Sequence, residues 1–310
     1  MMTATTGAVA RGSAETWTAA QRRKNRVIRW LVGALLVVAD RSPKRLLRAA
    51  GRALGLVTWL AARGLRQRAQ SRLAKLFPEA EARGLARRAF DRAGQSLALS
   101  LLARRPRVAA EDVVSISSEA RTLLSTRRGA VVVSAHLGPF EWIAPAVSEL
   151  GLPTAVVVRE SYDPELDPLV DHHRTLRGVE VIHRGRAGSG LAILRALRRG
   201  KLVGLLPDLP SSVPSVEVEL AGERTPVARG PAELALRAGV PLLVATLRER
   251  PGRPGFELDV VELETTGVDG DELTHRVAGE LSAAILRSPA WWLWMTPARA
   301  SELRKNPPTG

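Results

Sequence analysis

The chain is 310 residues long, with 46 Lys and Arg against 31 Asp and Glu, and it contains no Cys. That length is enough to bury a core, and the missing thiol excludes disulfides, thiolate nucleophiles and Cys-ligated zinc. The net charge of +15 is lopsided: residues 1–128 carry 26 basic against 8 acidic side chains, whereas residues 129–310 carry 20 against 23.

Residues 1–20, rich in Ala, Thr and Gly, read as a disordered tail. Residues 21–128 follow as a basic helical region expected to dock on a membrane. Its two apolar stretches, Trp30 to Ala39 and Ala53 to Ala62, are well short of the roughly 18 to 20 residues that span a bilayer as a helix. Arg22, Arg23, Lys24, Arg26 and Arg29 precede the first stretch; Arg41, Lys44, Arg45, Arg48 and Arg52 separate the two. Short apolar helices carrying Trp30 and Trp59 among basic side chains suit an interfacial position on anionic lipid. The plain alternative is a solvated Arg-rich helical surface. A signal peptide fits poorly, because the apolar stretch starts late and Val-Val-Ala-Asp lacks a small-x-small cleavage site. Nucleic acid is not an expected partner: there is one Tyr, no zinc-finger spacing and no reading motif. From 63 to 104 the pattern is helical, with Leu73, Leu76 and Phe77 on one face and Leu85, Ala89 and Phe90 on another, interrupted at Pro78.

From Gly129 onward strands and helices alternate. The spacing predicts a strand from Ala130 to Ser134 and a helix to about Leu150, a strand from Thr154 to Val158 and a helix from Pro164 to Leu176. It continues with a strand from Val179 to Ile182, a helix from Gly188 to Arg199 and a strand from Leu202 to Leu206. Val216, Val218 and Leu220 alternate with Glu217 and Glu219, so residues 215–220 read as an edge or half-exposed strand. A helix opening at Gly230-Pro231, strands from Leu242 to Leu247 and Phe256 to Val261, and a helix from about Gly270 to Leu286 complete the series. Strands separated by helices of about ten residues imply an α/β domain over 129–300, built on a largely parallel sheet flanked by helices. Residues 301–310, with two prolines after Lys305, read as a second disordered tail.

The chemistry concentrates in Gly129 to Trp142, GAVVVSAHLGPFEW. The apolar run ends in small residues, so His136 falls at the exposed C-terminal end of a strand. Pro139 suits the first position of a helix, which places Glu141 in its first turn. A neutral imidazole is a useful base near neutral pH, and a carboxylate on its other nitrogen would fix the tautomer and stabilise the imidazolium. No Ser or Cys nucleophile is obvious beside the pair, so the nucleophile is a candidate hydroxyl on the substrate, deprotonated by His136. The same spacing also fits a strand-end His beside a solvated cap Glu. Among five His none forms a metal-spaced set. Asp171-His172-His173 diverge by about 100° per residue on a helix, which favours a solvated face over a metal site.

With its H-x4-E arrangement at His136 and Glu141, the chain resembles the bacterial lipid A biosynthesis acyltransferases and relatives that acylate other glycolipids, within the glycerolipid acyltransferase-like fold. Further motifs carry the likeness: Arg159 after the second strand, Arg174 with Gly178, Asp208 ending Leu-Val-Gly-Leu-Leu-Pro-Asp, Gly230 opening a helix toward Gly239-Val240-Pro241, and Ser288-Pro289-Ala290-Trp291-Trp292-Leu293-Trp294. The resemblance implies O-acyl transfer from an acyl carrier protein or coenzyme A thioester to a glycolipid hydroxyl at the cytoplasmic face of the inner membrane, with no cofactor and no metal. His136 would be the general base, Glu141 its partner, and Arg159, Arg174, Asp208 and Gly230 substrate contacts. Arg174 suits either a phosphate, which its forked guanidinium bonds in two places, or an ion pair with Asp171. Asp208 suits positioning Arg174, positioning an acceptor hydroxyl, or capping a turn before Pro210. Arg159 suits substrate or plain surface, and Trp291, Trp292 and Trp294 suit core or membrane-interface packing. The chain departs from the family pattern at Leu209, where relatives commonly have Gln. It departs again after Trp294, where Met295-Thr296-Pro297-Ala298-Arg299 replaces His and consecutive Arg.

Overall fold

A strand enclosed on both faces reads as an unbroken apolar run, and residues 130–133 are one, all four of them buried. The computed structural model describes residues 17–125, 129–161, 163–211 and 213–297. Its main sheet is built from β1 (Val114–Ile116), β2 (Ala130–Val133), β3 (Thr154–Arg159), β4 (Glu180–Arg184) and β5 (Leu202–Leu205). After a separate antiparallel ribbon of β6 (Ser215–Leu220) and β7 (Glu223–Ala228), the sheet is completed by β8 (Leu242–Glu249) and β9 (Phe256–Leu263). The spatial order is β1-β9-β8-β2-β5-β3-β4, with every neighbouring pair parallel except β8 and β9. The expected α/β class and largely parallel sheet are therefore present. Residues 215–220, read as an edge or half-exposed strand, are such a strand, with Val218 and Leu220 buried and Glu217 and Glu219 exposed, and they pair with β7 in the small ribbon. The partner strand contains Pro226, which cannot donate to a ladder.

Among the described residues, α1 (Ala19–Arg41), α2 (Lys44–Ala61), α3 (Arg63–Leu73) and α4 (Glu79–Leu102) precede the sheet. Thr18 caps α1 in a reciprocal capping box with Gln21, and Trp17 is buried, so residues 17–20 of the expected N-terminal tail belong to the start of α1 and its cap. The rest of that tail, residues 1–16, and the C-terminal tail after 297 lie outside the described residues. The two apolar windows sit within α1 and α2, and among the described residues no helix is long and apolar enough to cross a membrane.

Helix α4 turns Leu85, Ala86, Ala89, Phe90, Leu99 and Leu102 into the core. Helix α2 crosses it so closely that a Cβ on Gly51 would lie 2.4 Å from the carbonyl oxygen of Gly94, which makes glycine the residue that fits. That crossing fixes the buried face of α2 and leaves Leu46, Leu54, Val57 and Leu60 exposed; α1 likewise exposes Trp30, Leu31, Leu35 and Val38. The sheet reaches back before residue 129, into the stretch assigned from sequence to the basic helices. There β1 pairs with β9, and α5 (Ser118–Leu124) buries Ala120 and Leu124. Three residues make so short a strand that its apolar pattern is too brief to read.

Behind the strand ends come α6 (Ile143–Glu149), α7 (Asp167–Leu176), α8 (Ser189–Arg198), α9 (Gly230–Ala238) and α10 (Gly270–Arg287). The helix expected to open at Pro139 begins instead as a 3-10 turn, Phe140–Trp142, ahead of α6. Trp142 secures that turn: its side chain is fully buried, its Nε1 donates to the Leu99 carbonyl at 2.7 Å, and the Arg177 guanidinium lies 4.6 Å from its ring centre. Burial of a ring this size contributes about 2–3 kcal/mol.

Candidate active site

Parallel strands in register deliver equivalent positions to the same edge of a sheet. Val133 of β2 pairs with Leu205 of β5, and the Ser134 N–H continues the ladder to the Leu205 carbonyl at 3.0 Å. His136 stands three residues beyond Val133 and Asp208 three beyond Leu205, so the two emerge side by side. The His136 backbone N–H donates to Asp208 Oδ2 at 2.9 Å, and its ring Nδ1 lies 2.8 Å from Oδ1. A carboxylate only accepts, so Nδ1 carries the hydrogen and Nε2 of the neutral ring keeps its lone pair. Trp292 Nε1 donates to Oδ2 at 3.0 Å, giving the enclosed carboxylate a third donor. Phe140 packs edge-on to the imidazole, 4.7 Å between ring centres.

Burial works against an imidazolium at His136, but the charge of Asp208 and its bond to Nδ1 outweigh it, with a smaller contribution from Glu141, so the His136 pKa is raised. Asp208 is fully enclosed, which favours its neutral form. The His136 charge, the His136 ring bond, the Trp292 indole and the His136 amide together hold its pKa below the ordinary Asp value.

Glu141 does not occupy the place expected of it. Its Oε2 accepts from Arg174 Nε and from His173 Nε2, each at 3.0 Å, and its Oε1 accepts from Arg174 Nη2. Although burial opposes ionisation, the His173 bond and the Arg174 charge lower its pKa to about 2. The carboxylate bonded to the other nitrogen of His136 is Asp208, because the sheet register brings β5 beside β2 while the 3-10 turn swings Glu141 toward α7.

Arg174 makes the ion pair with Asp171 that its spacing allowed, and Glu141 takes two more of its donors. Asp208 bonds His136 and Trp292 instead. Asp171 and His173 are buried rather than solvated, with only His172 exposed. His183 Nε2 lies 2.9 Å from Asp171, extending the charge network. Among the described residues no group of three or more such ligands is arranged for a metal ion. Arg159 sits exposed at the end of β3, and Gly230 is the first residue of α9.

His136, Glu141, Arg159, Arg174 and Gly230 all line one cleft of about 640 Å³; Asp208 lies behind its wall. Much of the lining is apolar, from Val156, Val158, Ile193, Leu206 and Leu209 among others. Leu209, the departure from the family pattern, thus adds apolar surface to the cleft. Sequence reasoning missed Trp292, Phe140 and His173 as partners of the site. The signal for the His136–Asp208 pair lay in two apolar strand runs ending in polar residues at the same offset.

The fold and site define an α/β protein with a hydrogen-bonded His–Asp pair at the C-terminal ends of its parallel strands, beside an apolar cleft. The family model for bacterial lipid A biosynthesis acyltransferases matches residues 18–298, nearly the whole chain, and the chain belongs to that family. It is accordingly an acyltransferase, with the acyl donor and lipid acceptor that such an activity requires. No curated protein matches it.

Proposed function

We propose that the protein moves a fatty acyl chain from a thioester of acyl carrier protein or coenzyme A to a hydroxyl of a glycolipid, with His136 as general base and Asp208 as its orienting partner. The observation that carries this reading is the Asp208 bond to Nδ1, which leaves Nε2 of a cleft-lining imidazole with its lone pair and no hydrogen-bond partner among the described residues. Nε2 takes the proton of the acceptor hydroxyl as the oxygen attacks the thioester carbon. The tetrahedral intermediate then expels the thiolate, which the imidazolium protonates, and an ester and a free thiol are the products. The apolar walls of the cleft suit the acyl chain, and Arg159 at its rim suits a phosphate on acceptor or donor. The acceptor is a lipid A precursor in the first reading. Leu209 and the changed segment after Trp294 favour a second, in which it is another lipid such as a phosphatidylinositol mannoside, a glycerolipid or an amino lipid.

The same proposal places the protein at the cytoplasmic face of the inner membrane, held by the apolar faces of α1 and α2 and their flanking Arg and Lys. Incubation of the purified protein with acyl thioesters and a panel of lipid acceptors, analysed by mass spectrometry, tests the reaction. Transfer to one acceptor that falls by a factor of about 10²–10⁴ in His136→Ala is the expected result. Full activity of His136→Ala would overturn the mechanism, and absence of any acylated lipid would overturn the proposed acceptors.

A further inference from the structure

Arg72 is a buried guanidinium that does not line the cleft, and the mechanism above gives it no part. It is 6 % exposed. Its Nε is bonded to Glu223, which also accepts from Lys75 Nζ at 2.8 Å. Its Nη1 donates to the carbonyls of Trp294 at 3.1 Å and Thr296 at 2.8 Å. The flat cation also lies over two rings, 4.9 Å from the centre of Trp292 and 5.3 Å from that of Trp294, which meet each other edge to face at 4.8 Å. One side chain of α3 thus holds the C-terminal Trp segment through charge, hydrogen bonds and ring contact together.

That segment is tied just as closely to the catalytic loop. Leu137 and Trp292 form an antiparallel bridge, the Gly138 N–H donates to the Trp291 carbonyl at 3.1 Å, and the Trp292 indole bonds Asp208. A carboxylate can turn about its last bond and exchange its two oxygens. Here the His136 amide and the Trp292 indole both bond Oδ2, and that presents Oδ1 to the imidazole.

We infer that Trp292 and Arg72 are positioning residues of the transfer reaction: the indole fixes the orientation of Asp208, and the guanidinium fixes the indole. This rests on the reading of His136 as the base. With the indole donor removed, one backbone bond remains to keep Oδ2 in place. The carboxylate then turns, and its hold on Nδ1 weakens.

Two variants separate this role from simple packing. Trp292→Phe keeps a ring under Arg72 and removes the donor together with part of the ring's volume; Arg72→Lys leaves Trp292 whole, keeps a charge for Glu223 and loses the flat stack and the forked bonds. The readout is the titration of the His136 ring by carbon–proton NMR on imidazole-labelled protein, its resonance identified with His136→Gln, with no acyl donor present. The expected result is a His136 pKa that falls toward the ordinary histidine value in Trp292→Phe and less far in Arg72→Lys. In turnover the expected change is a kcat reduced roughly tenfold or more, with KM for the thioester unchanged. A His136 titration in folded Trp292→Phe that stays put, or moves upward, overturns the inference. Should Trp292→Phe fail to fold, Arg72→Lys decides it by the same criterion. A downward shift in a protein that transfers no acyl group would sink the acyltransfer mechanism while leaving the positioning of Asp208 established.

Discussion

His136 and Glu141 stand five positions apart and line the same cleft, yet one keeps a nitrogen free while the other spends every contact on its neighbours. His136 has a single carboxylate behind it and solvent-side space before it. Glu141 is held by Arg174 and His173, and Arg174 is held again by Asp171. A group that must exchange a proton needs an unsatisfied atom facing the ligand. A group that must hold a loop needs the opposite. The two residues of the H-x4-E arrangement therefore divide the work: in the proposed mechanism His136 meets the substrate, while Glu141 bonds His173 and Arg174 and so ties the Phe140–Trp142 turn, with Phe140 against the imidazole, to α7.

The largest way to sharpen this contrast is Asp208→Asn. An amide no longer stabilises the imidazolium, and its N–H can donate to Nδ1 and leave the ring hydrogen on Nε2, so kcat/KM falls by a factor on the order of 10²–10⁴. The same variant moves the acid limb of the pH profile. A base works only when neutral, so wild-type kcat/KM climbs with pH through a His136 pKa above the usual value of about 6.5. In Asp208→Asn that limb moves down toward the usual value, and an unmoved limb would show that Asp208 is not the partner of the base.

Glu141→Gln should act on stability first. Removing one member of a buried ion pair is expected to cost about 3 kcal/mol, at the low end for such pairs because Asp171 still holds Arg174. Denaturant unfolding measures it. The acid limb moves down only slightly, since Glu141 is the smallest contributor to the raised His136 pKa. A limb shift as large as that of Asp208→Asn would restore Glu141 as the orienting group. The pH dependence of stability carries a sign as well. A carboxyl held at about 2 stabilises the fold fully above its unfolded value of 4.5 and loses that contribution as pH falls through about 2. His136, with its raised pKa, contributes below its unfolded value, and that contribution is lost as pH rises through the folded one. The low-pH loss should shrink in Glu141→Gln, leaving the part due to Asp208 and the other lowered carboxyls, and the Glu141 part should persist in His136→Gln.

The smallest expected effect lies farthest from the cleft. Trp30→Ser with Leu35→Ser removes two of the most exposed apolar side chains of α1. Flotation with anionic vesicles should weaken, most visibly at high salt, where screening leaves apolar insertion as the main attraction. The acid limb measured with a detergent-dispersed acceptor should not move. Unchanged flotation at high salt would favour the plain alternative of a solvated Arg-rich surface.

Much of this was legible in the chain itself. Apolar runs such as Val131–Val133 and Leu202–Leu205, spaced by helices of about ten residues, determined the α/β class and put His136 and Asp208 at strand ends. The uneven charge marked the basic helices before the sheet, and the H-x4-E, Asp208 and Trp291–Trp294 motifs carried the family resemblance. Periodicity and composition are local quantities, and each of these features is local. What only the tertiary structure decided is which carboxylate meets the imidazole. Strand order placed β5 beside β2, the paired register set Asp208 level with His136, and a 3-10 turn in place of an α-helix took Glu141 to Arg174. The contacts of Trp292 and Arg72 were beyond linear reading for the same reason. Their contacts join α3, the loops after β2 and β5, and the C-terminal segment, which come together only when the sheet closes.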